Sequence, residues 1–291
     1  MPAALPDFRL YHSNSLEVLA GLLAEQLRQP APGQSLLAPE AILIPQVAMR
    51  RWLQAALAAQ HGVAANLEFL TPGEFVSRAL AANVGGGADD LDAEALRWRL
   101  YAALRDPGLM ARPPLRALAQ YVAGDDPLNA WTLAGELGDV FEKYQAWRRD
   151  WLLRWEAGAD PEDPQAILWR AVAEGRAYRA RRIHDYLARF GGEASALPQG
   201  LPARMFAFAT LNISPDVLRV LATQARVGTL HFYMPSPTRT YWGDLQSRAQ
   251  QQRAGGDPEL ADNRLLQAWG AAGRDFVAVL GSYEVVHPTG D

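Results

Sequence analysis

The sequence predicts an α/β protein built on a parallel sheet, with a helical insertion that splits the α/β part in two. Three observations predict it. Two strand–turn–helix units follow one another near the start, at Phe8 to Leu23 and Ala41 to Leu57. From about Asp92 to Phe190 the apolar residues recur almost purely at helical spacing. Strand patterns then return at Met205 to Ala209 and Thr229 to Met234. Successive β–α units favour a parallel sheet, whose ligands gather beyond the carboxyl ends of its strands.

In chain order, Phe8, Leu10 and His12 alternate as a strand, and Leu16, Leu19, Ala20, Leu23 and Leu27 give the following helix its apolar stripe. Asn14 is the expected N-cap, with Glu17 closing a capping box. Gln29 to Pro39 is a loop rich in proline, glycine and serine. Ala41 to Ile44 reads as a short buried strand, Pro45-Gln46-Val47 as its turn, and Met49, Trp52, Leu53, Ala56 and Leu57 as the next stripe. Thr71-Pro72-Gly73-Glu74 opens a further helix, threonine capping, proline at the first position and glutamate closing the box. Asn83 to Asp92 is glycine- and aspartate-rich and reads as a flexible acidic linker.

The insertion holds five expected helices. Their stripes are Leu96, Leu100 and Leu104; then Leu115, Leu118 and Val122; then Trp131, Ala134, Leu137, Phe141 and Tyr144. Asp163-Pro164 caps a fourth around Ile167, Leu168, Ala171 and Val172, and Arg182 to Phe190 is the fifth. After the strand at Met205, Ser214-Pro215 opens a helix through Val217, Leu218 and Leu221. Gln250 to Asn263 is polar, and Leu265 to Leu280 is expected as one helix with Leu266, Trp269 and Phe276 on its apolar face. The division is therefore residues 1–82 and 199–245 for the two parts of the α/β domain, 83–198 for the insertion, and 246–291 for a polar linker and C-terminal helix. Tyr283 to Asp291 closes no element, so the chain is expected to be part of something longer.

Composition narrows the function. Hydrophobic residues at 49% and charged residues at 21% are ordinary globular values. No apolar run approaches a membrane span, and MPAALPDF has neither the basic region nor the apolar core of a secretion signal. Cysteine is absent, which excludes disulfides and thiolate metal sites; a cytoplasmic location without membrane partners is expected. The net charge of −4 argues against indiscriminate nucleic-acid binding by the whole chain but leaves room for a local basic channel.

Catalytic patterns are missing. The turn Tyr11 to Ser15 lies where a phosphate-binding loop would, yet has no glycine and no lysine. Strand Met205 to Ala209 runs into Thr210-Leu211-Asn212-Ile213 without a magnesium-binding acid, and the only lysine, Lys143, lies far from any glycine loop. The histidines, His12, His61, His184, His231 and His287, form no metal-binding spacing, and no nucleophile elbow or nuclease-type carboxylate cluster occurs. We therefore expect no catalytic residue, no metal site and no cofactor in this chain.

Asp139 to Trp155, DVFEKYQAWRRDWLLRW, supports two readings. Val140, Phe141, Tyr144 and Trp147 beside Lys143, Arg148, Arg149 and Arg154 suit a single strand of nucleic acid, cations on phosphates and rings on bases. From composition alone the same residues better suit a helix with core aromatics and solvated arginines. Arg179, Arg181, Arg182 and Arg189 form a second basic cluster, and Arg50-Arg51 a third.

Six segments carry a resemblance. Leu10-Tyr11-His12-Ser13-Asn14, Met49 to Leu53, Gly62 to Asn66, Asp150 to Trp155, Tyr241-Trp242-Gly243-Asp244 and Leu265 to Phe276 resemble, in order and at similar spacing, the N-terminal part of the RecC family, the gamma subunits of exodeoxyribonuclease V. The resemblance runs over nearly the whole chain from about Phe8. It implies a superfamily 1 helicase-like domain 1A interrupted by a helical domain 1B, a degenerate P-loop NTPase fold. It also implies a non-catalytic subunit of the RecBCD helicase–nuclease, acting in recombinational repair of double-strand breaks. Such a subunit splits the duplex and channels the 3′-ended strand while scanning it for Chi. Its partners would be RecB-like and RecD-like motor and nuclease subunits, which hold ATP and magnesium, together with single-stranded and forked DNA. By the same resemblance Gln46, Arg51, Asp139, Arg148 and Arg182 are the DNA contacts. Pro45, Val47 and Arg51 stand where enteric members carry polar, uncharged residues, and Thr71 and Ser77 replace a leucine and a tryptophan, which implies a different preferred sequence. Two other classes stay open: a purely structural assembly domain, and an atypical NTPase using the Ser13-Asn14 helix start.

Overall fold

The computed structural model describes residues 6–283 except 32, 36, 86–90, 125, 127, 193–195, 212, 239–241, 245–252 and 254–263. The polar stretch 250–263 thus falls outside them apart from Arg253, as do the residues after Tyr283. In chain order the elements are β1 (Asp7–Ser13), α1 (Leu16–Leu27), β2 (Glu40–Leu43), α2 (Val47–His61), β3 (Leu67–Leu70) and α3 (Pro72–Val84). Seven helices follow: α4 (Ala93–Leu104), α5 (Pro107–Met110), α6 (Arg116–Val122), α7 (Asn129–Trp147), α8 (Arg149–Glu156), α9 (Pro164–Ala173) and α10 (Arg179–Phe190). Then come β4 (Arg204–Phe208), α11 (Pro215–Ala222), β5 (Thr229–Pro235), α12 (Arg264–Trp269) and α13 (Ala271–Gly281). Contacts divide the chain into two compact units, Met1–Ala79 with Ser195–Asp291, and Leu80–Ala194.

The first unit is an α/β domain. Its five strands form one parallel sheet in the order β1-β5-β4-β2-β3. The steps β1 to β2 and β2 to β3 cross the sheet in one direction, and β4 to β5 steps back. Right-handed crossovers then put α1 and α2 on one face and α11 on the other. The packing agrees: Leu19, Leu23, Leu53 and Leu57 of the two helices share a core with Ile42, Phe206, Phe208 and Tyr233. On the opposite face Phe8 stacks on Phe232, which meets Phe276 of α13. β4 is buried along its whole length, as a central strand covered on both sides must be.

Several local expectations fail for identifiable reasons. The cap of α1 is Ser15 rather than Asn14: Ser15 has extended backbone and its Oγ accepts the Val18 N–H at 3.2 Å. Glu17 is then one position too early to close the box and instead accepts from the Ser15 hydroxyl at 2.7 Å. The strand β3, for which the sequence carries no expectation, has too short a pattern to stand out and is fixed by its pairing with β2. The C-terminal helix breaks at Gly270, and Trp269, expected on the apolar face, is 88% exposed. The Thr71 box does form: Thr71 N–H donates to Glu74 Oε2 at 2.7 Å and Glu74 N–H to Thr71 Oγ1 at 3.3 Å. Thr71→Ala is expected to remove about 1 kcal/mol of stability, read as a lower urea midpoint with an unchanged slope.

The second unit is helical. Leu96, Leu100 and Leu104 of α4, Ala134 and Phe141 of α7, Leu152 and Trp155 of α8, and Ile167 to Trp169 of α9 close one core with Tyr178 and Ala180. Proline follows its cap at the start of α9, where the Asp163 carboxylate accepts the N–H groups of Gln165 and Ala166. The long segment from Asp139 to Trp155 is not one helix. Arg148, at φ −135° and ψ 37°, interrupts it between α7 and α8.

Candidate nucleic-acid interface

The carboxyl rim of the sheet is where a nucleotide would bind in this topology. At the start of α1 some of the donors are already taken. The Ser13 Oγ accepts the Ser15 N–H at 3.2 Å, and the Ser15 Oγ accepts that of Val18. The hydrogen bond from Ser15 holds the Glu17 carboxyl below its usual range, so an anion already sits in the first turn. Donors that would cradle a phosphate are thus partly used, and the carboxylate repels one.

At the start of α2 the rim carries different chemistry. Gln46 is the N-cap by backbone alone: its carbonyl accepts the Met49 N–H at 3.0 Å and its side chain makes no capping bond. Gln46 and Arg51 are both exposed, and neither side chain has a polar partner among the described residues. Arg50 differs, its guanidinium resting 5.5 Å from the centroid of the Phe69 ring.

In the helical unit the break at Arg148 sorts the aromatics. Phe141 is fully buried and Tyr144 donates to Gln165 Oε1 at 2.9 Å, so these belong to the core. Trp147 and Trp151 are 49% and 42% exposed. The Arg148 guanidinium lies 5.3 Å from the centroid of Trp151. Nearby cations are occupied: Arg149 with Asp150, Arg154 with Asp160, Arg181 with Glu156. Arg148 and the exposed Lys143 have no carboxylate partner among the described residues. The first half of the segment supplies core, and its last turn with the start of α8 supplies a cationic, ring-bearing surface.

Asp139 and Arg148 do not stand side by side. Nine residues apart on α7 and its end, they are separated by about 13 Å of rise and about half a turn of rotation. Asp139 is exposed and lies near Glu142, whose carboxyl is raised by burial and by the charges of Asp92 and Asp139 against the pull of Arg179. Arg182, on α10, is half-buried and donates to the Gly85 carbonyl, and Arg189 donates to that of Asn83 at 3.2 Å. Much of the second basic cluster is thus engaged within the unit. Trp151 is absent from the sequence-predicted contacts; its signal was its position three residues after Arg148, one helical turn on.

A cavity of about 300 Å³ lined by Leu27, Gln34, His61 and Asn66 opens at the amino-terminal side of β2 and β3, away from the rim. Among the described residues no group of three or more His, Cys, Asp or Glu could hold a metal, and no helix is long and apolar enough to cross a membrane.

These features define a class: a parallel-sheet α/β domain with a helical insertion, whose first helix is capped by its own side chains and which, among the described residues, carries an arginine without a carboxylate partner beside a half-exposed tryptophan. A family model described as RecC, N-terminal domain, matches residues 8–289, and the chain belongs to that family. It is 29% identical over 325 residues to the RecBCD enzyme subunit RecC of Escherichia coli (strain K12), covering 95% of this chain and 28% of that protein. It is 24% identical over 352 residues to the RecBCD enzyme subunit RecC of Haemophilus influenzae, covering 97% of this chain and 31% of the other. The subunit of the same name in Mycolicibacterium smegmatis is 27% identical over 249 residues, covering 82% of this chain and 22% of its own length. The chain thus spans less than a third of the curated relatives it matches.

Proposed function

We propose that this chain is the N-terminal, non-catalytic, DNA-handling part of a RecBCD-type enzyme subunit: a helicase-like domain 1A interrupted by a helical 1B, with a degenerate P-loop fold. It would help split the duplex, guide the 3′-ended single strand and scan it for a Chi-like sequence, alongside RecB-like and RecD-like subunits that bind ATP and magnesium. The observation that carries this reading is the contrast between two helix ends. The start of α1, where a motor would hold phosphate, is filled by Ser13, Ser15 and Glu17. The end of α7 instead offers an unpaired arginine over an exposed tryptophan, the pairing that suits phosphate and base together. Membership of the RecC N-terminal family supports the same assignment.

On this reading Gln46, Arg51, Asp139 and Arg148 contact the strand, and Arg182 contributes with one arm committed to Gly85. Arg148→Ala in the assembled complex is expected to weaken single-strand binding by about tenfold and to reduce the salt slope by about one, because one phosphate contact and its released counterion are lost. Arg51→Gln should weaken binding less and shift the preferred sequence. Fluorescence anisotropy across a salt series reads both; unchanged affinity and unchanged sequence preference in the two variants would sink the assignment.

A further inference from the structure

The helical unit carries a second ring-and-arginine surface that the candidate interface does not use. Trp98 and Tyr101 of α4 and Trp131 of α7 pack with ring centroids 4.7 to 6.1 Å apart, and Trp98 is 53% exposed. The Arg97 guanidinium lies 4.0 Å from the centroid of Trp131. The guanidinium lies close against Gly135, where a Cβ would meet it at 3.2 to 3.4 Å and push it by a few tenths of an ångström. Arg105 donates to the Tyr101 hydroxyl at 2.8 Å and lies 5.5 Å from that ring's centroid.

Two features single out this patch from an ordinary exposed aromatic. Neither Arg97 nor Arg105 has a carboxylate within ion-pair distance among the described residues, so the charge is uncompensated in a chain whose net charge is −4. Packing of its ring against Tyr101 and Trp131 also backs Trp98 on one side, so little entropy is lost when another flat group stacks on its open side. The line Arg97, Tyr101, Arg105 repeats every four residues along α4 and its end and presents cation, ring, cation. That alternation complements an anionic chain bearing flat bases.

We infer that Trp98, with Arg97 and Arg105, is a second single-strand platform, stacking one base and neutralising flanking phosphates. The inference rests on the strand-handling reading above but names a separate place. Trp131 and Trp147, near the two ends of α7, are about 24 Å apart along the helix and about 160° apart around it. The two platforms are therefore separate places on the unit, and each holds its own segment of strand.

The test uses the full chain with a 5-iodouracil-substituted oligonucleotide of about a dozen nucleotides, whose photoadducts are mapped by mass spectrometry. Adducts are expected on Trp98 or its ring neighbours and, separately, near Trp151. Trp98→Ala should abolish the first set, keep the second and weaken binding by about tenfold, while Trp98→Phe restores most of it. Arg105→Gln should lower the salt slope by about one. Adducts near Trp151 alone, with Trp98→Ala binding like the parent, would overturn this inference and leave the strand-handling reading standing; adducts at neither place would overturn both. If Trp98→Ala leaves binding and adducts intact yet breaks assembly with the motor subunits, the patch is a protein interface and the inference is wrong.

Discussion

A Glu40→Gln chain is expected to lose about 3 to 5 kcal/mol of stability in its α/β unit, because it strands a buried guanidinium. The Arg204 side chain is only 7% exposed and Glu40 18%. The pair is bidentate: Arg204 Nε lies 3.2 Å from Glu40 Oε2 while an Nη meets Oε1. The other Nη donates to the carbonyl of Gln26 at 3.0 Å, and the planar group lies over Phe206. One side chain thus ties the first residue of β4 to the first of β2 and to the last turn of α1. Glutamine keeps an acceptor but not the charge, so Arg204 stays buried and uncompensated. Replacing both partners, as Glu40→Leu with Arg204→Met, is expected to recover much of the loss, since a buried ion pair is worth little against well-packed apolar groups. Urea unfolding followed by exchange of the β2 and β4 amides reads the α/β unit by itself. Should Glu40→Gln cost under 1 kcal/mol, the pair does not have the role assigned to it.

Elements whose signals are local and redundant were legible in the sequence. Ser214 before Pro215 caps α11, and its Oγ accepts the Val217 N–H at 3.4 Å. Asp163 before Pro164 does the same for α9. The runs at Met205 and Thr229 are strands with the pairing that a parallel sheet requires. Misses occurred where the outcome depends on pairing or on one backbone angle. Leu67 to Leu70 is a strand because β2 pairs with it, and four residues carry no period of their own. Ser13, Asn14 and Ser15 are all plausible caps, and only the reach of Ser15 Oγ to Val18 decides among them. Arg204 read as a flanking residue before its strand; burial on both faces of β4 makes it a structural cation.

The candidate interface was half legible for the same reason. Spacing revealed that arginines and rings interleave between Asp139 and Trp155, but not which arginines are consumed. Asp160 and Glu156 pair with Arg154 and Arg181 across turns that sequence distance does not reveal, and Arg149 pairs with its neighbour Asp150. Among the described residues the ion-pair pattern leaves Arg148 and Lys143 without a carboxylate partner. The Trp98 surface was invisible because its two halves lie on α4 and α7, some thirty positions apart, and Gly135 signals nothing until Arg97 is seen lying against it.

The last large effect concerns acid. His231 is 1% exposed in the middle of β5, stacked on Phe206, with its Nδ1 3.1 Å from the Tyr11 hydroxyl. Burial, followed by the nearby charges of Arg9 and Arg204 and opposed by Asp7, lowers its pKa from 6.5 to about 4. The unfolded chain therefore takes up this proton near pH 6.5, whereas the folded chain does so only near pH 4. Stability must fall as pH drops through that window, by about 3 kcal/mol at 1.36 kcal/mol per pH unit. The Asp7 carboxyl, held below its usual range by hydrogen bonds from Arg9 and Thr229 that outweigh its burial, acts in a lower window. His231→Phe fills the same stack, gives up the Tyr11 bond at a cost of about 1 kcal/mol near neutrality, and cannot bind the proton. The variant should thus begin less stable at pH 7.5 and end more stable at pH 4.5, so that the two stability curves cross. Urea midpoints at half-unit steps, with exchange of the β5 amides as the local readout, decide it: parallel curves for parent and variant would mean that His231 does not carry the acid sensitivity of the sheet.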